Sequence, residues 1–590
     1  MYARIDSMRD SQSVTPQRPR RPNPHPVSVG RLLCGFLVIL VVACGLVERL
    51  PQASASDSGS SALMGWIYDS QGQPVRSAEV EVYVNRQEEL FASDRSASDG
   101  AFAIALPEST FESLRVEVDR AHFHSQTWSA SGDELASLRQ GGTIRLPDIT
   151  LERRITLGFW IATLTFVGML VIIALEKLHN TMAALLGTAI VLGVSFVGRP
   201  LNSNLFILDF DQALQYVDFD VIFLVMGMMI VIGVLETTGI FQWTAYQAYR
   251  LSRGRAWLLV IILMILTSVA SAMLDNVTTM LLMAPITLEI ALALGINPLS
   301  LIIPEILASN IGGISTLIGT PTNILIGSYA NISFGDFLVN LTPGVILAQA
   351  ALTGYVLIVY RRQYREVSGG LSDRMLERLK ENGRITQPAT LAKAGAVFAV
   401  MLLLFVFGER FHLIPAVTAI LGAVFMLLLV ETDIREMLRI VDWTTLMFFI
   451  ALFMVIGAIQ EVGLISMIAA GIKQVVGENL TLSLMVIIWS GALLSGVIDN
   501  IPFTAAMLPV VGYLTRTIPS ASSKVLFYGL SVGSAMGGNS TLIGSSPNMV
   551  AAGITERAGY RITYMTFLKV GLPATVLTVA MGMLWLLIRF

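Results

Sequence analysis

The sequence predicts an all-α polytopic membrane protein of two inverted-topology repeats with re-entrant hairpins and broken helices, plus a small extracytoplasmic β-sandwich. Three observations predict it. Of 590 residues, 54% are hydrophobic and 14% charged, against about 25% charged in soluble domains. Apolar runs able to cross about 30 Å of hydrocarbon recur from Leu157 to the C-terminus. Three stretches also recur at nearly one offset. "VDFDVIFLVMGMMIVIGVLETTG" from Val217 returns as "VDWTTLMFFIALFMVIGAIQEVG" from Val441, and "SAMLDNVTTMLLMAP" from Ser271 returns as "SGVIDNIPFTAAMLP" from Ser495, both 224 residues on. "GGISTLIGTPTN" from Gly312 returns as "GGNSTLIGSSPN" from Gly537, 225 residues on. Such self-similarity marks two homologous halves.

Taken in order, residues 1–55 form a basic N-terminus and a signal peptide or signal anchor. An arginine-rich stretch precedes the apolar run Leu32 to Val47, then a polar segment with an Ala53-Ser54-Ala55 cleavage pattern. "VVAC" at Cys44 also fits a lipoprotein processing site. The two cysteines, Cys34 and Cys44, both fall in that run, so neither a disulfide framework nor a cysteine metal site is available. Residues 56–151 read as short alternating strands between turns, "LMGWIYDSQGQPVRSAEVEVYV" and "SASDGAFAIALP", the pattern of a sandwich. His122 and His124 are expected on one exposed strand face, with metal binding as the alternative.

Repeat 1 covers 152–360, a cytoplasmic linker 361–390, and repeat 2 391–590. The linker stretch Arg361 to Arg384 holds seven basic and four acidic residues and belongs in the cytoplasm, as does "RLSRGR". Counting crossings from outside, the first repeat returns to the cytoplasm at the linker, so the second starts from the opposite side and is inverted. Arg153 and Arg154 fall on the wrong side in this scheme. Inverted repeats with interrupted helices point to a secondary transporter, with its site where the halves meet near the midplane.

Two pairs of elements can carry that site. Asp275-Asn276 and Asp499-Asn500 sit at the hairpin tips, with Thr278 following the first. A carboxylate at bilayer depth costs about 2.5–3.5 kcal/mol, so a cation, a proton or helix N-termini should compensate it; the alternative is that each aspartate only caps the next helix. The glycine stretches supply Gly313, Ser315, Thr316, Gly319 and Asn323 in the first repeat, and Gly538, Ser540, Thr541, Gly544 and Asn548 in the second. Released carbonyls and hydroxyls would form a hard-oxygen shell suited to Na⁺ at Asn276, Ser315, Thr316, Asn500, Ser540 and Thr541, and not to a transition metal. Half-helix N-termini there could instead face an anion. Glu305 and Asn310 stand behind the first loop, where the second has Leu530 and Ala535; Glu305 is a candidate proton carrier. Glu236 and Glu289 are expected at the interfaces.

"SAMLDNVTTMLLMAP" with "EILASNIGGISTLIGTPTN" resembles the P-protein group of the ion-transporter superfamily, which includes ArsB, NhaD-type sodium/proton antiporters and citrate and dicarboxylate carriers. The resemblance covers about 155–590 and implies ion sites at the tips and broken-helix loops, and a homodimer. The Asp-Asn tips depart from the Ser-Asn-Thr of the dicarboxylate carriers and lean toward the P-protein and NhaD side. The sandwich pattern resembles the carboxypeptidase regulatory-like domain, an accessory module. The expected function is ion-coupled transport by alternating access, no cofactor beyond Na⁺ or H⁺, with Na⁺/H⁺ exchange ahead of Na⁺-coupled transport of a small anion. The expected setting is the inner membrane, with the lipid bilayer and a small ion or anion as partners. The net charge of −3 suggests no nucleic acid. A membrane receptor sensing through the sandwich is the remote alternative. An intramembrane aspartyl protease is disfavoured because its Gly-x-Gly-Asp motif is missing, so no enzyme is expected.

Overall fold

The computed structural model describes residues 61–85, 90–106, 112–139, 142–175, 177–365, 377, 380–381, 383–430 and 434–590. The signal or anchor segment, with Cys34 and Cys44, and much of the linker lie outside these residues. Most spans begin where the sequence supplies a polar cap. Thr156, Asp218, Asp275, Ser333, Asp442, Asn479, Asp499 and Thr563 each accept a hydrogen bond from a backbone amide of the helix they precede, which satisfies donors no helix can satisfy internally.

The first repeat comprises α1 (Leu157–Ala174), α2 (Asn180–Gly198), α3 (Phe219–Thr237), α4 (Ile240–Ser252), the hairpin α5 (Ala256–Met273) and α6 (Asn276–Ala293), the broken pair α7 (Leu299–Gly312) and α8 (Pro321–Ala330), and α9 (Phe334–Val359). The second repeats the plan as α10 (Pro388–Phe407), α11 (Pro415–Val430), α12 (Trp443–Glu461), α13 (Leu464–Val476), α14 (Leu480–Ser495), α15 (Asn500–Thr517), α16 (Val525–Gly537), α17 (Ser546–Arg557) and α18 (Tyr564–Arg589). Among the described residues, nine helices are long and apolar enough to cross a membrane. The amphipathic helices α4 and α13 each follow a glycine at positive φ, Gly239 at 81° and Gly463 at 94°, a conformation costly for any side chain.

The repeats exchange partners. Helix α3 packs on α11 and α12 on α2; α8 packs on α15 and α17 on α6. Helices α3 and α12 run antiparallel. At one end Tyr216, just before α3, donates its hydroxyl to Glu461 at the end of α12 (2.6 Å). At the other, Gly233 late in α3 leaves no room for a Cβ against Ile440, just before α12. Equivalent helices pointing opposite ways are the mark of inverted repeats, so the expected fold class is borne out.

Among the described residues the sandwich has eight strands: β1 (Ser61–Asp69), β2 (Glu79–Val84), β3 (Ala92–Arg95), β4 (Ala101–Leu106), β5 (Leu114–Asp119), β6 (Gln126–Ser129), β7 (Thr143–Arg145) and β8 (Ile149–Leu151). One sheet runs β4-β1-β7 with β8 also on β1; the other runs β3-β2-β5-β6. Alternate residues such as Val80 and Val82 of β2 and Val116 and Val118 of β5 point inward and are fully buried, as a period of two requires.

The sandwich docks on the helical part at the Glu461 end. Glu461 accepts from Arg120 (2.7 Å) and lies 3.7 Å from Arg76, whose guanidinium stacks on Tyr216. Arg153 reaches the Glu461 carbonyl (3.2 Å) and Asp69 (3.8 Å). This resolves the misplaced charge at Arg153: it pairs with the sandwich and with α12. The expectation for the histidines is corrected. His122 is buried at positive φ (69°), with Nε2 2.8 Å from the Ile207 carbonyl, and His124 is exposed; neither lies in a strand. Burial lowers the His122 pKa, opposed by the Ile207 hydrogen bond and Glu461.

Candidate functional site

Both hairpin tips are helix caps. The Asp275 Oδ1 accepts from the amides of Val277 (2.9 Å) and Thr278 (3.0 Å), and its Oδ2 from the Thr278 hydroxyl (2.5 Å). Asp499 accepts from the amide of Ile501 (3.1 Å) and, across to α17, from the Ser546 hydroxyl (2.7 Å). Asp275 is half-buried, whereas Asp499 is 8% exposed.

Each broken-helix loop is fastened to the first arm of its own hairpin at matched places. Thr316 donates to the Ala272 carbonyl and Thr541 to that of Gly496 (2.5 Å). Ser271 donates to the Ser309 carbonyl (2.8 Å) and Ser495 to that of Ser534 (2.6 Å). This fastening explains Gly319 and Gly544. A Cβ on Gly319 would lie 2.5 Å from the Gly313 carbonyl oxygen and 2.7 Å from that of Ser271; on Gly544 the same contacts, to Gly538 and Ser495, would be 2.9 and 3.0 Å. The half-helices α8 and α17 then restart with proline in their first turn, where no amide partner is lost.

Asn323 and Asn548 hold these loops from within. Asn323 Nδ2 reaches the carbonyls of Gly313 (3.4 Å), Ile314 (3.0 Å) and Thr316 (2.8 Å), and Asn548 Nδ2 those of Gly538 (2.8 Å) and Thr541 (2.9 Å). Carbonyls expected to be free for an ion are therefore bonded to amides. The hydroxyls of Thr316 and Thr541 donate but keep lone pairs. Ser315 and Asn500 are buried at their loop and tip, and Ser540 Oγ sits where a Cβ on Gly496 would fall, 2.1 Å away.

Asn310 joins the two halves at the centre. Its Oδ1 accepts from Asn276 (3.0 Å) and Ser545 (3.3 Å); its Nδ2 donates to Asn539 (2.8 Å) and Asn548 (3.0 Å). Asn539 and Ser546 escaped the sequence reading: they align with Ile314 and Pro321, so the repeat itself conceals them. Glu305 is fully buried between α5, α6 and α7. Its Oε1 accepts from Thr287 (2.9 Å) and Thr267 (3.3 Å), and its Oε2 has no partner.

A cavity of 530 Å³ opens at the end of α3 and α12 away from the sandwich. Of the residues singled out as ion ligands, Asp275 and Thr278 line it; Glu236, expected at an interface, and Asp442 line it too. His179 joins them, and no Lys or Arg does among the described residues. The first turns of α8 and α17 reach the cavity through Pro321 and Ser546.

A family model described as citrate transporter matches residues 170–527. Two uncharacterized transporters of Mycobacterium tuberculosis are similar at 36% and 33% identity over 433 residues, 73% of this chain and 98% of each relative. The P protein of Homo sapiens is 32% identical over 508 residues, 72% of this chain and 59% of that protein. The solved YdaH transporter of Alcanivorax borkumensis covers 72% of this chain and 97% of its own at 13% identity, with a TM-score of 0.49. The family model covers both hairpins and the first broken pair, and the chain belongs to the citrate transporter family of multi-pass membrane transporters.

Proposed function

We propose that this transporter is ion-coupled, works by alternating access, and exchanges Na⁺ for H⁺. The observation that carries the reading is the acidic cavity: Asp275, Glu236 and Asp442 line it without a lysine or arginine among the described residues. A low-dielectric cleft lined by one sign of charge concentrates ions of the other. Asp275 has the chemistry for the exchange. Its oxygens accept three hydrogen bonds where a carboxylate offers about four acceptor sites, which leaves capacity toward the cavity. A proton or a sodium ion would each neutralise it, and the neutral form is the one cheap to carry past the bilayer centre. Competition of the two cations for one carboxylate then gives exchange. Glu305, sealed from the cavity, is a second proton site in this reading. The sandwich is extracytoplasmic, the basic linker cytoplasmic, and two copies associate as a homodimer.

One observation favours a second reading, Na⁺-coupled transport of a small anion. The N-termini of α8 and α17 border the same cavity and carry partial positive charge, and the family model is named for citrate. Proteoliposomes separate the two. With a pH dye inside and an imposed Na⁺ gradient, exchange moves protons with no added carboxylate or oxyanion. Proton movement that appears only when such an anion is supplied would replace exchange by the second reading.

A further inference from the structure

Between the sandwich and the helices lies a second cavity, of 230 Å³, whose charge is opposite to that of the first. Four guanidinium groups line it, Arg76, Arg120, Arg153 and Arg516, against two carboxylates, Asp69 and Glu461. The carboxylates are already engaged. Glu461 takes the Tyr216 hydroxyl, Arg120 and Arg76. Asp69 takes the amides of Gln71 (2.9 Å) and Gln73 (2.8 Å) and the Arg153 side chain. The cations outnumber them by two. Arg516, on α15, forms no salt bridge among the described residues. Arg153 Nε is inaccessible to solvent yet donates no hydrogen bond, its nearest carboxylate oxygen being 3.8 Å away. Burial also lowers the Arg153 pKa, against Asp69 and Glu461, which raise it; its terminal nitrogens reach the Glu461 carbonyl (3.2 Å) and Ser466 Oγ (3.5 Å), and the guanidinium lies over the Phe123 ring. A buried charged donor without an acceptor is costly.

We propose that this junction binds a small carboxylate or oxyanion, held by Arg516 from the helical side, by Arg76 from the sandwich side and by Arg153 from the connection between β8 and α1. Guanidinium groups suit such ligands because their paired N–H groups match two oxygens at once. At about 30 Å³ per water, the 230 Å³ cavity holds about eight water-sized groups, room for a small anion. The site needs both parts of the chain, which gives the sandwich a binding role at the mouth of the helical body. The proposal holds whichever ion the Asp275 cavity moves.

Binding is tested on the full chain in maltoside micelles at constant ionic strength, by calorimetry and thermal unfolding, with citrate and with sulfate. Wild type and Asp275→Asn should bind one of these anions alike, and Arg516→Gln at least tenfold more weakly. Arg516 is exposed and forms no salt bridge among the described residues, so its replacement should fold. Titrating phosphatidylglycerol in the same micelles assigns the site to a dissolved anion or a lipid headgroup: Arg516-dependent binding of either supports the site. Equal binding by wild type and Arg516→Gln, binding by neither, or binding lost in Asp275→Asn alone would overturn it.

Discussion

The two hairpin tips have the same Asp-Asn step, an aspartate capping the next helix in each, and different surroundings. In the first repeat both Asp275 oxygens are held from within α6, and the side chain stays half-buried on the wall of an acidic cavity. In the second, Asp499 is bonded across to Ser546 and is not among that cavity's lining residues. Inverted duplication thus preserved the backbone plan while assigning one carboxylate to the cavity and the other to a latch between α15 and α17. The largest expected effect tests this split. Asp275→Asn should lower flux tenfold or more, about 1.4 kcal/mol of barrier, and change its Na⁺ and pH dependence. Asp499→Asn, which keeps the cap, should cost no more than a few-fold and leave both dependences in place. Reconstituted flux of the pair measures it. The reverse order would mean that Asp499 carries the ion and Asp275 is the structural member.

The centre of the molecule differs in the same sense. Asn310 has no amide counterpart in the second repeat, where Ala535 stands. Asn310→Ala strips hydrogen bonds from Asn276, Asn539 and Asn548 together. Side-chain bonds in membrane proteins average about 0.6 and reach about 1.7 kcal/mol, so the loss should total about 2–5 kcal/mol, read as a lowered unfolding midpoint in detergent. Ala535→Asn should not restore it, because the new amide would face Ile314's side of the repeat rather than Asn539. An Asn310→Ala protein as stable as wild type would show that the halves are joined by apolar packing alone.

Much of this was legible because glycine and proline report backbone events. The matched pairs Gly312-Gly313 and Gly537-Gly538, with Pro321 and Pro547 one position out of register, mark broken helices whatever the packing. Hydrogen-bond direction was not legible. Asn323 and Asn548 have the residue type of ion ligands, but their amides point back at their own loop carbonyls, and only the folded geometry distinguishes the two uses. Glu461 was overlooked because its partners lie 245 to 385 residues earlier in the chain, at Tyr216, Arg120 and Arg76. The one signal was Arg153, a positive charge beside the first span on the side that should lack it.

The loop glycines sharpen the comparison at smaller scale. Added methyl groups meet carbonyl oxygens at 2.5 and 2.7 Å in the first loop but at 2.9 and 3.0 Å in the second. Overpacking costs about 1–3 kcal/mol, so Gly319→Ala should approach the upper figure and Gly544→Ala the lower, by thermal unfolding. Equal losses would indicate that both loops relax alike and that the asymmetry is confined to side chains.

The smallest effect asks whether the asymmetry extends to the sandwich, which docks at the end of α12 through Glu461 while the equivalent end of α3, Thr237, points to the opposite face. His122 sits in that junction against Ile207. Desolvation disfavours its imidazolium and lowers its pKa from the usual value of about 6.5. Below that value the unfolded chain takes up a proton that the docked one resists. The His122 contribution is therefore complete above about pH 6.5 and declines as pH falls toward the depressed folded value. Arg120 and Arg153 add to the lowering, and the Ile207 hydrogen bond and Glu461 oppose it, so the loss should be modest. Thermal unfolding at pH 7.5 and 5.5 should show a larger drop for wild type than for His122→Gln, which can still donate to the Ile207 carbonyl without titrating. Equal drops in both proteins would move the pH sensitivity to carboxylates elsewhere and leave His122 as packing alone.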